Sequence, residues 1–136
     1  MKNRIVLITG GASGIGKAMV RMFADRGCQV IIFDVQDDKG EVLAKELCDQ
    51  RKKVVYKHVN LFDIDEIKSA YTWIKEQFGK LDYAMNNAGF GIPAKPLDEC
   101  TSEEVNKVIG ICLIAVTNCM IEEIKIMKEN GFGRIV

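Results

Sequence analysis

Gly10, Gly14 and Gly16 fall within Thr9-Gly10-Gly11-Ala12-Ser13-Gly14-Ile15-Gly16, between an apolar run at Arg4 to Ile8 and a helix-forming segment at Lys17 to Val20. Backbone without Cβ atoms lets a phosphate approach closely, and the free N–H groups at the positive end of the following helix stabilise an anion. That chemistry is pyrophosphate binding. Asp34 follows Gly16 by 18 positions, where a carboxylate accepts hydrogen bonds from both hydroxyls of an adenosine ribose and repels a 2′-phosphate. Neither Ser13 nor Val35, directly after Asp34, supplies the cation that a 2′-phosphate would want. The expected ligand is a dinucleotide, with NAD preferred to NADP. Alone, Asp34 reads equally well as a turn residue at a strand end; its distance from Gly16 favours the ribose.

A second group is Asn86-Asn87-Ala88-Gly89. Amide side chains bind neighbouring backbone and hold a loop, while Ala and Gly leave room for a ligand to pass. A plain asparagine-glycine loop is the competing reading. His58 is the only histidine, and no Cys or acidic residue stands at metal-ligand spacing from it, so it is read as a surface or packing residue and no metal site is expected.

The elements that must position these groups alternate along the chain. Strands are expected near Arg4 to Thr9, Gln29 to Asp34, Val54 to Asn60, Leu81 to Asn86 and Arg134 to Val136, with helices between them. The fold class is therefore α/β, a parallel sheet wound by crossover helices, with residues 1–136 as one domain. Helix starts are marked by Asp38 with Glu41, Asp63 with Glu66, and Thr101 with Glu104. In the third helix Ile67, Ala70, Tyr71, Ile74 and Phe78 form one apolar stripe, leaving Lys68, Lys75 and Glu76 to solvent.

Nineteen acidic residues balance nineteen basic ones, so nothing draws the chain electrostatically to nucleic acid or an anionic membrane. Any bound phosphate must be held by local geometry. The five cysteines are odd in number and lack Cys-x-x-Cys spacing, which fits reduced thiols and a cytoplasmic location. The apolar run at Ile5 to Ile8 is too short for a signal core or a membrane span.

Through the glycine turn, Asp34, Asn86-Asn87-Ala88-Gly89 and Gly133-Arg134-Ile135-Val136, all in order and spacing, the chain resembles the classical short-chain dehydrogenases/reductases. The Gly10, Gly14, Gly16 spacing separates it from the extended, epimerase-like members. The resemblance implies a Rossmann-like doubly wound parallel sheet that stops after its fifth strand, and an NAD-dependent oxidoreductase exchanging hydride with an alcohol or carbonyl. It also implies a cofactor site: Gly10, Ser13, Gly14, Ile15 and Gly16 around the pyrophosphate, Asp34 with Val35 at the ribose, Asn60 and Leu61 near adenine, and Asn87, Ala88 and Gly89 along the nicotinamide side. The family usually carries Asp where this chain has Asn60, whose amide oxygen still accepts, so weaker adenine binding is expected.

The family's reaction uses a Ser and a Tyr-x-x-x-Lys pair that the resemblance places beyond Val136. No catalytic residue is therefore assigned within residues 1–136. Tyr71 and Lys75 match the Tyr-x-x-x-Lys letters, but they precede the fourth strand, and the apolar stripe explains Tyr71. A further family position, an Asn supporting a proton relay, aligns with Cys112, which is read as a small buried residue. Phe90 to Pro96 is expected on the rim of the substrate pocket.

Thr101 to Asn130 predicts one helix of about 45 Å. Val105, Val108, Ile109, Cys112, Val116, Cys119, Met120 and Met127 mark one apolar face, and Ile111, Ile114, Ile121 and Ile124 a second. Two apolar faces call for partners beyond the sheet, so self-association through this helix is expected, and the last strand offers an open edge. Three readings follow: the cofactor half of a larger dehydrogenase, a non-catalytic NAD-binding or interaction module, and, least favoured, a remnant that binds neither.

Overall fold

The computed structural model describes residues 1–136. Five strands, β1 (Ile5–Thr9), β2 (Gln29–Asp34), β3 (Lys53–His58), β4 (Tyr83–Met85) and β5 (Arg134–Ile135), form one sheet in the order β3-β2-β1-β4-β5. Every pairing is parallel. This is the doubly wound, Rossmann-like arrangement.

Alternation along β1 and β2 explains why helices cover both faces. Ile5, Leu7, Ile31 and Phe33 point to one side, into a core with Ile67, Tyr71 and Ile74. Val6, Ile8, Val30 and Ile32 point to the other, against Val20, Phe23, Leu43 and Leu47. The second set belongs to β1, β2 and the helices α1 (Gly14–Asp25) and α2 (Asp37–Asp49), the first to β1, β2 and α3 (Ile64–Phe78) with the helical stretch beyond it. A central strand buried on both faces reads as a continuous apolar run, as Ile5 to Ile8 does.

Two of the three expected helix caps form. Asp63 accepts from the N–H groups of Asp65 and Glu66 before α3, and Thr101 and Glu104 make a reciprocal capping box before α4 (Ser102–Ile109). Lys95 and the Thr101 N–H hold the Glu104 carboxyl down to about 2. Asp38 does not cap. α2 begins two residues earlier than a cap at Asp38 would set, with Gln36 at its N-cap making no side-chain bond, and Asp37 and Asp38 lie in the first turn. Carboxylates there still favour the positive end of the helix, and Asp37 is further engaged by the Tyr56 hydroxyl at 2.6 Å and by His58 Nδ1 at 2.8 Å.

The expected single helix over Thr101 to Asn130 is instead α4, a π segment at Gly110–Ala115, and α5 (Val116–Glu129). The wider π turn rotates the faces. The buried side of this stretch is Ile111, Ala115, Cys119, Glu123, Ile126 and Met127, and Val105, Ile109, Cys112 and Met120, assigned to the inner face from a regular period, are exposed. Ile114, Ile121 and Ile124 are exposed too. Ile111 crosses from the expected second face to the core. No helix is long and apolar enough to cross a membrane.

Candidate functional site

The glycine turn leaves the carboxyl end of β1 beside the reversal of strand order between β1 and β4. Gly10 and Gly14 take positive φ values of 64° and 53°, a region that side chains with a Cβ rarely occupy. A Cβ on Gly14 would meet nothing within 4 Å, so this backbone faces open space. Gly16 does the opposite. Its missing Cβ would run into the Gly10 carbonyl oxygen and lie 2.7 Å from Asn87 Nδ2, which is what lets α1 close on the turn.

Asn87 staples the turn from the neighbouring strand. Its side-chain amide donates to the carbonyls of Thr9 at 3.1 Å and Gly10 at 3.2 Å. The Ala88 N–H donates to Thr9 Oγ1 at 3.0 Å, and the Thr9 hydroxyl lies 3.4 Å from the Met85 carbonyl. The β1 and β4 loops are thereby locked as one wall.

Asp34 forms the next section. One carboxylate oxygen accepts from the Ala12 N–H at 2.9 Å; the other accepts from the N–H groups of Val35 at 2.8 Å and Gln36 at 3.1 Å. The Gln36 side-chain amide reaches both that second oxygen, at 3.3 Å, and Ser13 Oγ, at 3.4 Å. Asp34 is thus tied to both loops that flank it. Asn60 turns the chain after β3: its Oδ1 accepts from the Phe62 N–H at 3.1 Å, and its own N–H donates to Glu66.

These walls enclose a cleft of about 630 Å³, within the range of small-molecule and cofactor sites. Gly10, Ser13, Gly14, Ile15, Asp34, Val35, Asn60, Leu61, Asn87, Ala88 and Gly89 all line it. Gly16 does not line it and acts from behind, through close packing. Gln36, Phe62 and Ile111 also face the cleft; no sequence signal singled them out, because each depends on where a loop or the π turn delivers it. A space of this size beside a Cβ-free turn, with a fixed carboxylate in its lining, fits a dinucleotide.

Tyr71 and Lys75 lie away from the cleft wall. Tyr71 is buried in the core with its hydroxyl on Glu123, and Lys75 pairs with Glu129 at the surface. Cys112 is exposed, contrary to the buried position expected for it, because the π turn carries its Sγ outward to 3.8 Å from the Phe90 carbonyl.

Residues 4–136 match the family model described as short chain dehydrogenase. The chain is 34% identical over 137 residues to short-chain dehydrogenase reductase 3b of Arabidopsis thaliana, covering 100% of this chain and 52% of that protein. Among solved structures, a metagenomic short-chain oxidoreductase in complex with NADP superposes with a TM-score of 0.93 at 23% identity, over 98% of this chain and 61% of that one. An alcohol dehydrogenase from the archaeon Thermococcus sibiricus, complexed with 5-hydroxy-NADP, gives 0.91 at 27% identity, over 98% and 57%. The chain spans about half the length of the curated relatives it matches. With the fold, the glycine turn and a sequence match running from Arg4 to Val136 in agreement, the chain belongs to the short-chain dehydrogenase family.

Proposed function

We propose that this chain supplies the cofactor half of an NAD-dependent oxidoreductase that moves hydride between nicotinamide and an alcohol or carbonyl substrate. The observation that carries the reading is Asp34, fixed in a cleft whose lining contains no lysine or arginine. A ribose with two free hydroxyls meets acceptors there, whereas a 2′-phosphate meets a carboxylate and no cation. The bound nicotinamide supplies the hydride chemistry. The protein's part is to hold it: Gly10, Ser13, Gly14 and Ile15 at the pyrophosphate, Asp34 and Val35 at the ribose, Asn60 and Leu61 at adenine, and Asn87, Ala88 and Gly89 on the nicotinamide side. Gly16 keeps the turn closed behind them.

The test is calorimetric titration of NADH and NADPH into the natural full-length protein. NADH binds about tenfold tighter or better in this reading, a difference of roughly 1.4 kcal/mol, and Asp34→Ala narrows the gap. Tighter NADPH binding would overturn it.

A second reading is favoured by one observation, the exposed Leu113, Ile114, Ile121 and Ile124 on the helical stretch from Thr101 to Asn130. In that reading the chain is a non-catalytic NAD-binding or interaction module that self-associates through this surface, in the cytoplasm. NADH binding without turnover of any alcohol or carbonyl offered, together with a concentration-dependent sedimentation coefficient, would select it.

A further inference from the structure

We infer that Phe62 and Phe90 form an aromatic bridge over the cleft that retains the adenosine side of the bound dinucleotide; the inference rests on the dinucleotide reading above. Phe62 follows β3 and Phe90 follows β4, and in the sheet order β2 and β1 lie between those strands. Three strand spacings put β3 and β4 about 14 Å apart. The two rings nonetheless approach to 6.4 Å between centroids, tilted by 44°. Both line the cleft, so they converge from the β3 and β4 loops, which flank the ends of β1 and β2 where Gly10 and Asp34 stand.

Both rings remain substantially exposed, at 55% for Phe62 and 46% for Phe90. Packing within the chain therefore leaves much of each apolar surface uncovered. The same six-residue π segment supports both loops. Gly110 passes so close to Phe62 that a Cβ there would lie 2.9 Å from Cε1, and a Cβ on Gly89 would lie 3.4 Å from Cys112 Sγ, just before Phe90. π segments within helices are frequent at functional sites. Here the segment brings Gly110 against the edge of one ring and Cys112 beside the other loop, and only a glycine leaves room for the ring.

The bridge spans the gap between a wall holding Asp34, Asn60 and Leu61 and a wall holding Asn87 to Gly89. A dinucleotide lying along the cleft passes under it, and one ring must swing aside for ligand to enter or leave. The rings thus govern rates of exchange more than the identity of the nucleotide.

The experiment is stopped-flow displacement of NADH from the natural full-length protein, followed by NADH fluorescence, with Phe62→Ala, Phe90→Ala and the double variant. Each single change accelerates dissociation about threefold or more, the scale of one aromatic pair, and the double variant adds little because one ring alone cannot bridge. Gly110→Ala, which keeps both rings but displaces Phe62, accelerates dissociation as well. A smaller change in either single alanine variant, or independent multiplying effects in the double, overturns the bridge. If the wild-type protein fails to bind NADH at all, the dinucleotide reading falls and the bridge with it. Wild-type binding with unchanged dissociation in the variants removes the bridge alone.

Discussion

Tyr71 donates its hydroxyl hydrogen to Glu123 Oε1 at 2.7 Å, joining α3 to α5 in the core. Glu123 is fully buried, and its other oxygen accepts from Asn86 Nδ2 at 3.1 Å. Asn86 stands at the end of β4, immediately before the amide that staples the glycine turn. One buried carboxylate thus links two helices to the loop that forms a cleft wall.

Burial pushes the Glu123 carboxyl above the usual range for a glutamate, against the hydrogen bonds from Tyr71 and Asn86. A raised carboxyl favours the folded state most while protonated. Its contribution is therefore greatest below the unfolded value near 4.3, and declines as pH rises from there toward the folded value. Glu123→Gln removes this dependence. Asn86 Oδ1 is buried without a partner, so a rotated Asn86 amide can accept from the new glutamine, and stability at neutral pH should stay within about 1 kcal/mol of wild type. Glu123→Leu strands the Tyr71 hydroxyl and the Asn86 amide, costing about 1–3 kcal/mol for each group. Urea titrations of the two variants at pH 4.5 and 7.5 check both statements.

Gly16→Ala should damage the fold and the cleft together. Its Cβ would collide with the Gly10 carbonyl, which is backbone and has no rotamer to yield. Overpacking of this kind costs about 1–3 kcal/mol, and the displaced turn weakens NADH binding as well. A fully retained melting temperature with unchanged NADH affinity would show that the turn tolerates the shift.

The sheet and its two core faces were legible because each central strand is an apolar run closed by a turn, and because the α3 stripe keeps a regular helical period. The glycine turn was legible because backbone geometry calls for glycine at Gly10 and Gly14, Asp34 stood out by its spacing from Gly16, and Asn87 by an amide able to hold neighbouring backbone. What escaped was set by long-range contact. Glu123 carries no apolar signal, yet it belongs to the buried face because Tyr71 and Asn86 satisfy it. Cys112 looked internal on a 3.6-residue period, and the π turn over Gly110–Ala115 moved it out. Phe62 and Phe90 are 28 positions apart, and only the strand order brings them together.

Thr9→Val tests the lock between the β1 and β4 loops. Valine keeps the volume but offers the Ala88 N–H no acceptor. An unpaired, partly buried N–H costs about 1–3 kcal/mol, and Thr9 itself is buried, so water cannot readily replace the hydroxyl. Hydrogen exchange should show faster exchange at Ala88, with the strand amides of β2 unchanged. Uniform acceleration across the sheet would mean that Thr9 supports the whole fold and not this contact.

Asp82 should govern stability at acid pH in the opposite sense to Glu123. Burial alone would raise its carboxyl, but the Ile5 N–H, Lys80 and Arg4 together hold it below the usual range. The Ile5 N–H donates at 2.8 Å, Lys80 Nζ lies at 2.9 Å and Arg4 Nη1 at 2.6 Å. A carboxyl lowered on folding adds stability that is complete above the unfolded value near 3.9 and is lost as pH falls through the folded one. Acid unfolding of the wild type should therefore include a component below pH 4 that Asp82→Asn lacks. At pH 7 the same change removes the charge facing Lys80 and Arg4 but keeps an oxygen for the Ile5 N–H, and should cost about 1–3 kcal/mol. Parallel acid-unfolding curves for wild type and Asp82→Asn would mean that the three donors do not stabilise the ionised carboxylate, and that β1 is joined to the Asp82 loop by its backbone bonds alone.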